Sequence, residues 1–169
     1  EDWLKKKFLK NRKKKVFTIV VATRIPVDYY FPKNSYVKYV KDIMEIASEI
    51  KKIKIIFKTH PHSGENKILL NVLNNFEKNL WEVNNNHPLY LANNADICIS
   101  FITSACFDFI SMKKPTIEYF RPSYEAKYNK LAKTSPHYVF NGKKWITIFD
   151  YLKVVDPVSD KKKLRKLIY

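Results

Sequence analysis

The stretch ADICISFITSACFDFISMKKPTIEY, residues 95–119, decides how this chain folds. Its apolar run at 97–101 is short and nearly continuous, which is typical of a parallel strand buried on both faces. Thr103 and Ser104 follow at the predicted start of a helix, and Pro115 ends that helix before a second short strand. The stretch therefore predicts a strand–turn–helix–strand unit of an α/β protein, with a Rossmann-like parallel sheet flanked by helices.

The hydroxyl groups of Thr103 and Ser104 fall where the predicted strand gives way to the helix. Hydroxyls and unpaired backbone N–H groups at such a junction bind anions, and phosphate most naturally. Open α/β sheets also bind their ligands at the carboxyl ends of parallel strands. The alternative is that these hydroxyls only cap the helix. Asp108, one turn into the same helix, is predicted to brace the loop rather than to touch an anionic ligand.

A second predicted strand, residues 54–59, ends at the dipeptide His60-Pro61. Because proline restricts the residue before it to extended conformations, His60 also falls at a carboxyl strand end. We therefore predict that His60 and Ser104 line one cleft, with His60 as a catalytic and phosphate-binding residue; a hydrogen-bonded turn histidine is the alternative. Arg24, in the long loop after the first strand, is a further candidate for phosphate binding.

Glu118 is a carboxylate on an otherwise apolar strand, near the carboxyl end of that strand. A ribose diol is its predicted partner, as in other α/β nucleotide sites, and an ion pair with Arg121 or a lysine is the alternative. Of the remaining histidines, His87 beside Pro88 is predicted to be structural, and His137 receives no role.

The formal net charge is +16, which by itself suggests nucleic acid or an anionic membrane as a partner. Lysine supplies nearly all of this charge and arginine is scarce, whereas readers of nucleic acid favour arginine at base edges. We therefore predict no nucleic-acid partner and retain peripheral contact with an anionic membrane. No apolar run is long enough to span a bilayer and no signal peptide is visible, which predicts a cytoplasmic protein, in one reading at the inner face of the plasma membrane.

Glycine occurs only at Gly64 and Gly142, so the chain contains neither glycine-rich nucleotide-binding motif, GxGxxG or GxxxxGK[ST]. A nucleotide would have to be held by hydroxyls, histidine, lysine and helix starts. Cys98 and Cys106 match no zinc spacing and are predicted to be buried core residues of a reducing compartment. No metal site is predicted.

The charge and hydropathy patterns divide the chain into three parts. Residues 1–15 form a basic segment that reads as a linker or helix from an upstream domain, or as a membrane-surface patch. Residues 16–155 alternate strand and helix and form the predicted Rossmann-like domain, which starts with a strand at 16–23 and ends with helices near 124–133 and 144–154. Residues 156–169 form a basic C-terminal tail. The chain begins at Glu1 and is expected to be a piece of a longer protein.

Four short segments together resemble the carboxyl-terminal half of GT-B glycosyltransferases, most closely the CDP-glycerol glycerophosphotransferases of wall and capsule synthesis. The segments are Lys58-Thr-His-Pro61, Leu91-Ala-Asn-Asn-Ala-Asp96, Ile102-Thr-Ser-Ala-Cys-Phe-Asp-Phe109 and Lys114-Pro-Thr-Ile-Glu-Tyr119. Thr103-Ser104 matches the family's serine pair and Phe107-Asp108 its Phe-Asp, but the family's aspartate before the serine pair has no counterpart. The histidine–proline and hydroxyl pairing is also similar to the CMP-sugar transferases that add sialic acid or Kdo to capsules.

This resemblance implies that His60, Thr103 and Ser104 bind the phosphate or diphosphate of a CDP-, CMP- or UDP-linked donor, with no other cofactor. It implies a polysaccharide or lipid-linked acceptor held by an amino-terminal Rossmann domain outside this chain. The predicted function is the donor-binding half of a bacterial surface-polysaccharide glycosyl- or glycerophosphotransferase, inactive alone. The alternatives are one half of an enzyme like UDP-sugar 2-epimerase, and a non-enzymatic basic module that binds nucleic acid or anionic membrane.

Overall fold

The computed structural model describes residues 16–28, 31–59, 64–120 and 136–169. These residues form eight strands and six α-helices, with one 3-10 turn at Lys78–Leu80. The first half of the chain contains β1 (Phe17–Ala22), α1 (Lys33–Ala47), β2 (Ile53–Lys58), α2 (Gly64–Leu73), β3 (Trp81–Val83) and α3 (Pro88–Asn94). The second half contains β4 (Ile97–Ser100), α4 (Cys106–Ser111), β5 (Thr116–Tyr119), β6 (Tyr138–Phe140), β7 (Trp145–Thr147), α5 (Ile148–Tyr151), β8 (Asp156–Val158) and α6 (Lys161–Ile168).

Six of the strands form one sheet in the order β3-β2-β1-β4-β5-β8, and every neighbouring pair in it is parallel. The chain first builds outward from β1 to β3 and then crosses to the other side of β1 to add β4. The strand order therefore reverses between β1 and β4, which is the point where sheets of this kind bind ligands. The predicted Rossmann-like parallel sheet is confirmed.

Side chains of β1 alternate between two hydrophobic layers, as the pleat of a strand requires. Ile19 and Val21 pack on the face covered by α1, α2 and α6, and Val20 and Ala22 pack on the face covered by α3 and α4. All four are 0–1% exposed, and burying a side chain as large as valine or isoleucine is worth roughly 1.5–3 kcal/mol. Among the described residues, no helix combines the length and the apolar character that a membrane crossing needs.

The structure differs from the sequence-based prediction of a helix near 144–154. Trp145–Thr147 form β7, which pairs antiparallel with β6 around a turn where Gly142 has φ +88°. Helix α5 begins only after Thr147, whose hydroxyl accepts a hydrogen bond from the Asp150 N–H at 3.1 Å. Aromatic and β-branched residues favour a strand once a partner strand is present, which explains the difference. The predicted helix at 124–133 and the basic segment 1–15 lie outside the described residues.

The sheet continues beyond residue 155, where the sequence pattern places the end of the Rossmann-like domain. β8 pairs with β5, and Leu164 and Ile168 of α6 are buried in the larger hydrophobic layer. Two ion pairs join α6 to α1, one from Lys161 to Glu45 and one from Arg165 to Glu49. The segment 156–169 therefore belongs to the domain, although its composition is that of a basic tail.

Candidate anion-binding site at the carboxyl edge of the sheet

An open pocket of about 260 Å³ lies at the carboxyl ends of β1, β2 and β4. It sits at the point where the strand order reverses, and its walls come from four separate connections of the chain. The lining residues are Ala22, Thr23, Lys58, Thr59, His87, Pro88, Thr103, Ser104, Ala105 and Asp108. Thr103 and Ser104, which the sequence predicts to bind phosphate, thus line the same pocket as Lys58 at the carboxyl end of β2.

The turn between β4 and α4 is held in an unusual conformation. Ile102 is fully buried and has φ +50°, which is a rare backbone state for a β-branched residue. Buried Ser100 supports the turn, because its hydroxyl accepts from the Thr103 N–H at 3.3 Å and donates to the Thr103 carbonyl at 3.4 Å. Backbone strain of this kind concentrates at ligand-binding sites, where the surrounding structure has to hold it in place.

The hydroxyl pair lies in this turn rather than in the helix, since α4 begins at Cys106. The Thr103 hydroxyl accepts a hydrogen bond from the Ala105 N–H at 3.4 Å, and the residue that caps α4, Ala105, has no side-chain capping bond. Ser104 is exposed, and within the described part of the chain its hydroxyl has no hydrogen bond. Helix capping therefore does not account for Ser104, whose hydroxyl is available to a ligand in the pocket.

The wall formed by the end of β2 brings a cation to the pocket. The Thr23 N–H and hydroxyl both donate to the Lys58 carbonyl, at 2.9 and 3.2 Å. The Lys58 ammonium donates to the Thr59 carbonyl at 2.6 Å, and the buried Thr59 hydroxyl bonds the Asn85 side chain. His60, the next residue, lies outside the described residues, so its place in the cleft stays a prediction.

Arg24 and Asp108 both lie near the turn between β4 and α4, and their predicted roles stay predictions. The Arg24 guanidinium donates to the carbonyl of Ile102 at 3.3 Å and is not among the residues lining the pocket. It therefore supports the strained turn from outside. Asp108, predicted to brace the loop, lines the pocket itself and lies in the first turn of α4. A carboxylate is stabilised there by the positive end of the helix, and Asp108 adds an acidic group to the pocket that Lys58 also lines.

Glu118 is not among the residues that line this pocket, and its predicted ribose contact stays a prediction. Its side chain is only 2% exposed; one carboxyl oxygen accepts from the Thr147 hydroxyl, and Oε1 has no hydrogen-bond partner among the described residues. Burial, with a smaller contribution from Asp150, raises the pKa of Glu118 to about 8 although the Thr147 bond lowers it. Burial raises the pKa of the Cys106 thiol to about 12, and the nearby Glu118 carboxylate makes a smaller contribution in the same direction. The alternative partner Arg121 lies outside the described residues.

Two histidines can be placed. The His87 Nδ1 accepts a hydrogen bond from the Leu89 N–H at 3.2 Å and so caps α3, which fits its predicted structural role, yet His87 also lines the pocket. His137 is half-buried, and burial, with Arg24 nearby, lowers its pKa. Cys98 and Cys106 are buried free thiols, as predicted.

Sequence reasoning missed four polar residues of the pocket, which are Thr23, Lys58, Thr59 and His87. For Thr23, Lys58 and Thr59 a signal was present, because each of these polar residues directly ends or follows an apolar strand. His87 gave no such signal, because it neither ends nor directly follows the short strand β3.

Comparison with known proteins supports the fold. No family model matches the chain, and no curated protein matches it. A solved structure of the wall teichoic acid polymerase TagF is similar, with a TM-score of 0.56 at 18% sequence identity. The match covers 99% of this chain and 37% of the polymerase chain, so this chain spans about a third of that protein's length. At this level of identity the similarity concerns the fold.

Proposed function

We propose that this chain is the donor-binding half of a surface-polymer transferase that takes a nucleotide-activated donor. One observation carries the proposal: a pocket at the strand-order reversal combines a lysine with a strained turn that exposes a serine hydroxyl. These are groups that bind phosphate without a glycine-rich loop. The chain is similar in fold to a wall teichoic acid polymerase over 37% of that chain. This similarity supports a transferase reaction and supports the view that the chain is one part of a larger enzyme.

In the proposed reaction, a hydroxyl oxygen of the acceptor attacks the transferred group while the bond between that group and the nucleotide phosphate breaks. The hydroxyl proton passes to a base supplied by the domain that holds the acceptor. The bonding electrons and the negative charge move to the departing nucleotide. The Lys58 ammonium and the hydroxyls of Thr103 and Ser104 stabilise this charge by donating to phosphate oxygens, which is electrostatic catalysis. His60 is expected to add a further donor. The acceptor must be held in line, which requires a second domain.

Donor, acceptor and cellular setting follow from this proposal. The donor is CDP-, CMP- or UDP-linked, and the acceptor is a polysaccharide or lipid-linked chain at the cytoplasmic face of the membrane. An enzyme like UDP-sugar 2-epimerase fits less well, because it needs an arginine-rich diphosphate site. Here Lys58 is the lysine among the described residues that line the pocket, which include no arginine, and Arg24 donates to the turn.

The test is a thermal-shift and calorimetric screen with CMP, CDP, CDP-glycerol, UDP and UDP-GlcNAc. A ligand that binds only the folded chain raises the unfolding midpoint by mass action. Ser104→Ala removes one hydrogen bond to a charged group and is expected to weaken binding roughly tenfold without loss of stability. Ser48→Ala is the matched control, since Ser48 caps the far end of α1 and bonds only the Met44 carbonyl at 2.6 Å.

Two results would count against the proposal. One is the absence of any midpoint shift with these nucleotides and donors. The other is an equal loss of affinity in Ser104→Ala and Ser48→Ala, because the pocket would then have no special part in binding.

A further inference from the structure

His87 reaches the pocket from a different direction than the hydroxyl turn. It ends the connection that follows β3, whereas Thr103 and Ser104 follow β4, and these two strands lie on opposite sides of β1. Its side chain is exposed, and it shares the pocket lining with Lys58. The pocket therefore has two polar walls, one made by the hydroxyl turn and the other by Lys58 and His87.

The hydrogen bond within His87's own connection fixes which ring nitrogen carries the proton. The Leu89 N–H donates to Nδ1 at 3.2 Å, so Nδ1 must present a lone pair. In a neutral imidazole the other nitrogen, Nε2, is then the protonated one. His87 thus holds an N–H donor in a defined orientation, on the ring edge that is not used by the cap.

We propose that the Nε2–H of His87 donates a hydrogen bond to a phosphate oxygen of the bound donor, on the wall that it shares with Lys58. This inference rests on the proposed function, and it turns a residue predicted to be structural into a binding residue. A donor with two linked phosphates can meet both walls at once, with one phosphate on the Thr103-Ser104 turn and the other between Lys58 and His87. A nucleoside monophosphate can meet only one of them.

Capping alone does not explain the choice of histidine. Serine, threonine, aspartate and asparagine are the usual capping residues, because a short side chain accepts the bond from the helix. Histidine makes the same bond and adds a second polar atom that reaches farther. This difference separates the two roles experimentally, since a serine can replace the cap but not the Nε2–H.

The experiment compares His87→Ser with the unchanged chain, using CDP and CMP as probes in calorimetry, with unfolding midpoints measured in parallel. We expect the serine variant to keep the midpoint, to bind CDP about tenfold more weakly and to bind CMP unchanged, since a hydrogen bond to a charged phosphate is lost only with CDP. His87→Ala, which also loses the cap, is expected to lower the midpoint as well.

Two outcomes overturn the inference. If His87→Ser binds CDP as tightly as the unchanged chain does, His87 only caps α3. If His87→Ser loses the same affinity for CDP as for CMP, His87 contacts a part that both nucleotides share and not the second phosphate. Ser104→Ala, measured beside it, separates this failure from that of the proposed function. If Ser104→Ala weakens CDP binding and His87→Ser does not, only the role proposed for His87 is wrong. If the unchanged chain binds neither probe, both are wrong.

Discussion

Replacing Glu118 with glutamine is expected to remove a pH-dependent loss of stability that comes from one buried carboxyl. Glu118 is 2% exposed, and burial raises its pKa from the ordinary 4.5 to about 8. Between these two values the folded chain holds a proton that the unfolded chain has released. The contribution of Glu118 to stability therefore falls as the pH rises from 4.5 to about 8 and is constant above that range.

The size of the effect follows from the same pKa. Each pH unit within the window costs about 1.4 kcal/mol, so the loss at pH 7 is about 3 kcal/mol. Glutamine imitates the protonated carboxyl group. Its carbonyl oxygen can accept the hydrogen bond from the Thr147 hydroxyl, and its amide nitrogen takes the place of Oε1, which has no partner among the described residues. Glu118→Gln should therefore lie within about 1 kcal/mol of the unchanged chain at pH 5 and be more stable by about 3 kcal/mol at pH 7.

Urea unfolding at pH 5, 6, 7 and 8 measures this difference, and subtracting the two proteins cancels all other titrating groups. Glu77→Gln, at an exposed glutamate, is the control and should change stability by less than about 0.5 kcal/mol throughout. A Glu118→Gln effect that is the same at every pH would refute the reasoning, because the carboxyl would then not be held neutral. Nucleotide affinity should not change, and a loss of affinity would restore the predicted ribose contact.

Two further predictions concern the support of the pocket and the basic helix. Arg24→Met removes the hydrogen bond to the Ile102 carbonyl, which should loosen the strained turn, lower the stability of the chain by about 1 kcal/mol and weaken CDP binding in calorimetry. The control is Arg165→Met, at an exposed ion pair on α6, and an Arg24→Met effect no larger than that of the control would contradict this prediction. The double variant Lys162→Glu, Lys166→Glu reverses two exposed charges on α6. It should reduce co-sedimentation with anionic phosphatidylglycerol vesicles at least about tenfold, with no change in CDP binding. If the variant and the unchanged chain sediment equally, α6 is not the membrane contact.

The parts of the fold that were predicted correctly are those that local sequence specifies. β1, β2 and β4 were placed to within a residue or so, because each is a continuous apolar run that must be buried on both faces. β7 and β8 were not predicted, since three residues such as Asp156–Val158 become a strand only through pairing with β5. Such pairing depends on distant residues, and no local pattern encodes it.

The same distinction explains the candidate site. Thr103 and Ser104 could be predicted because a strand end and a turn are local features of the sequence. The burial of Glu118 could not, because its partner Thr147 is 29 residues away on a strand that sequence patterns had assigned to a helix. The role of Arg24 also depends on a distant carbonyl, 78 residues along the chain.

A nuclear magnetic resonance titration of the ¹⁵N-labelled 20.1 kDa chain with CDP tests the central claim most directly. If the pocket at the strand-order reversal binds a nucleotide phosphate, the largest backbone amide shifts will be those of Thr23, Thr59, Ser104 and Ala105, and they will saturate together. Saturating shifts confined to α6 or to residues 1–15, with these four amides unmoved, would contradict the account.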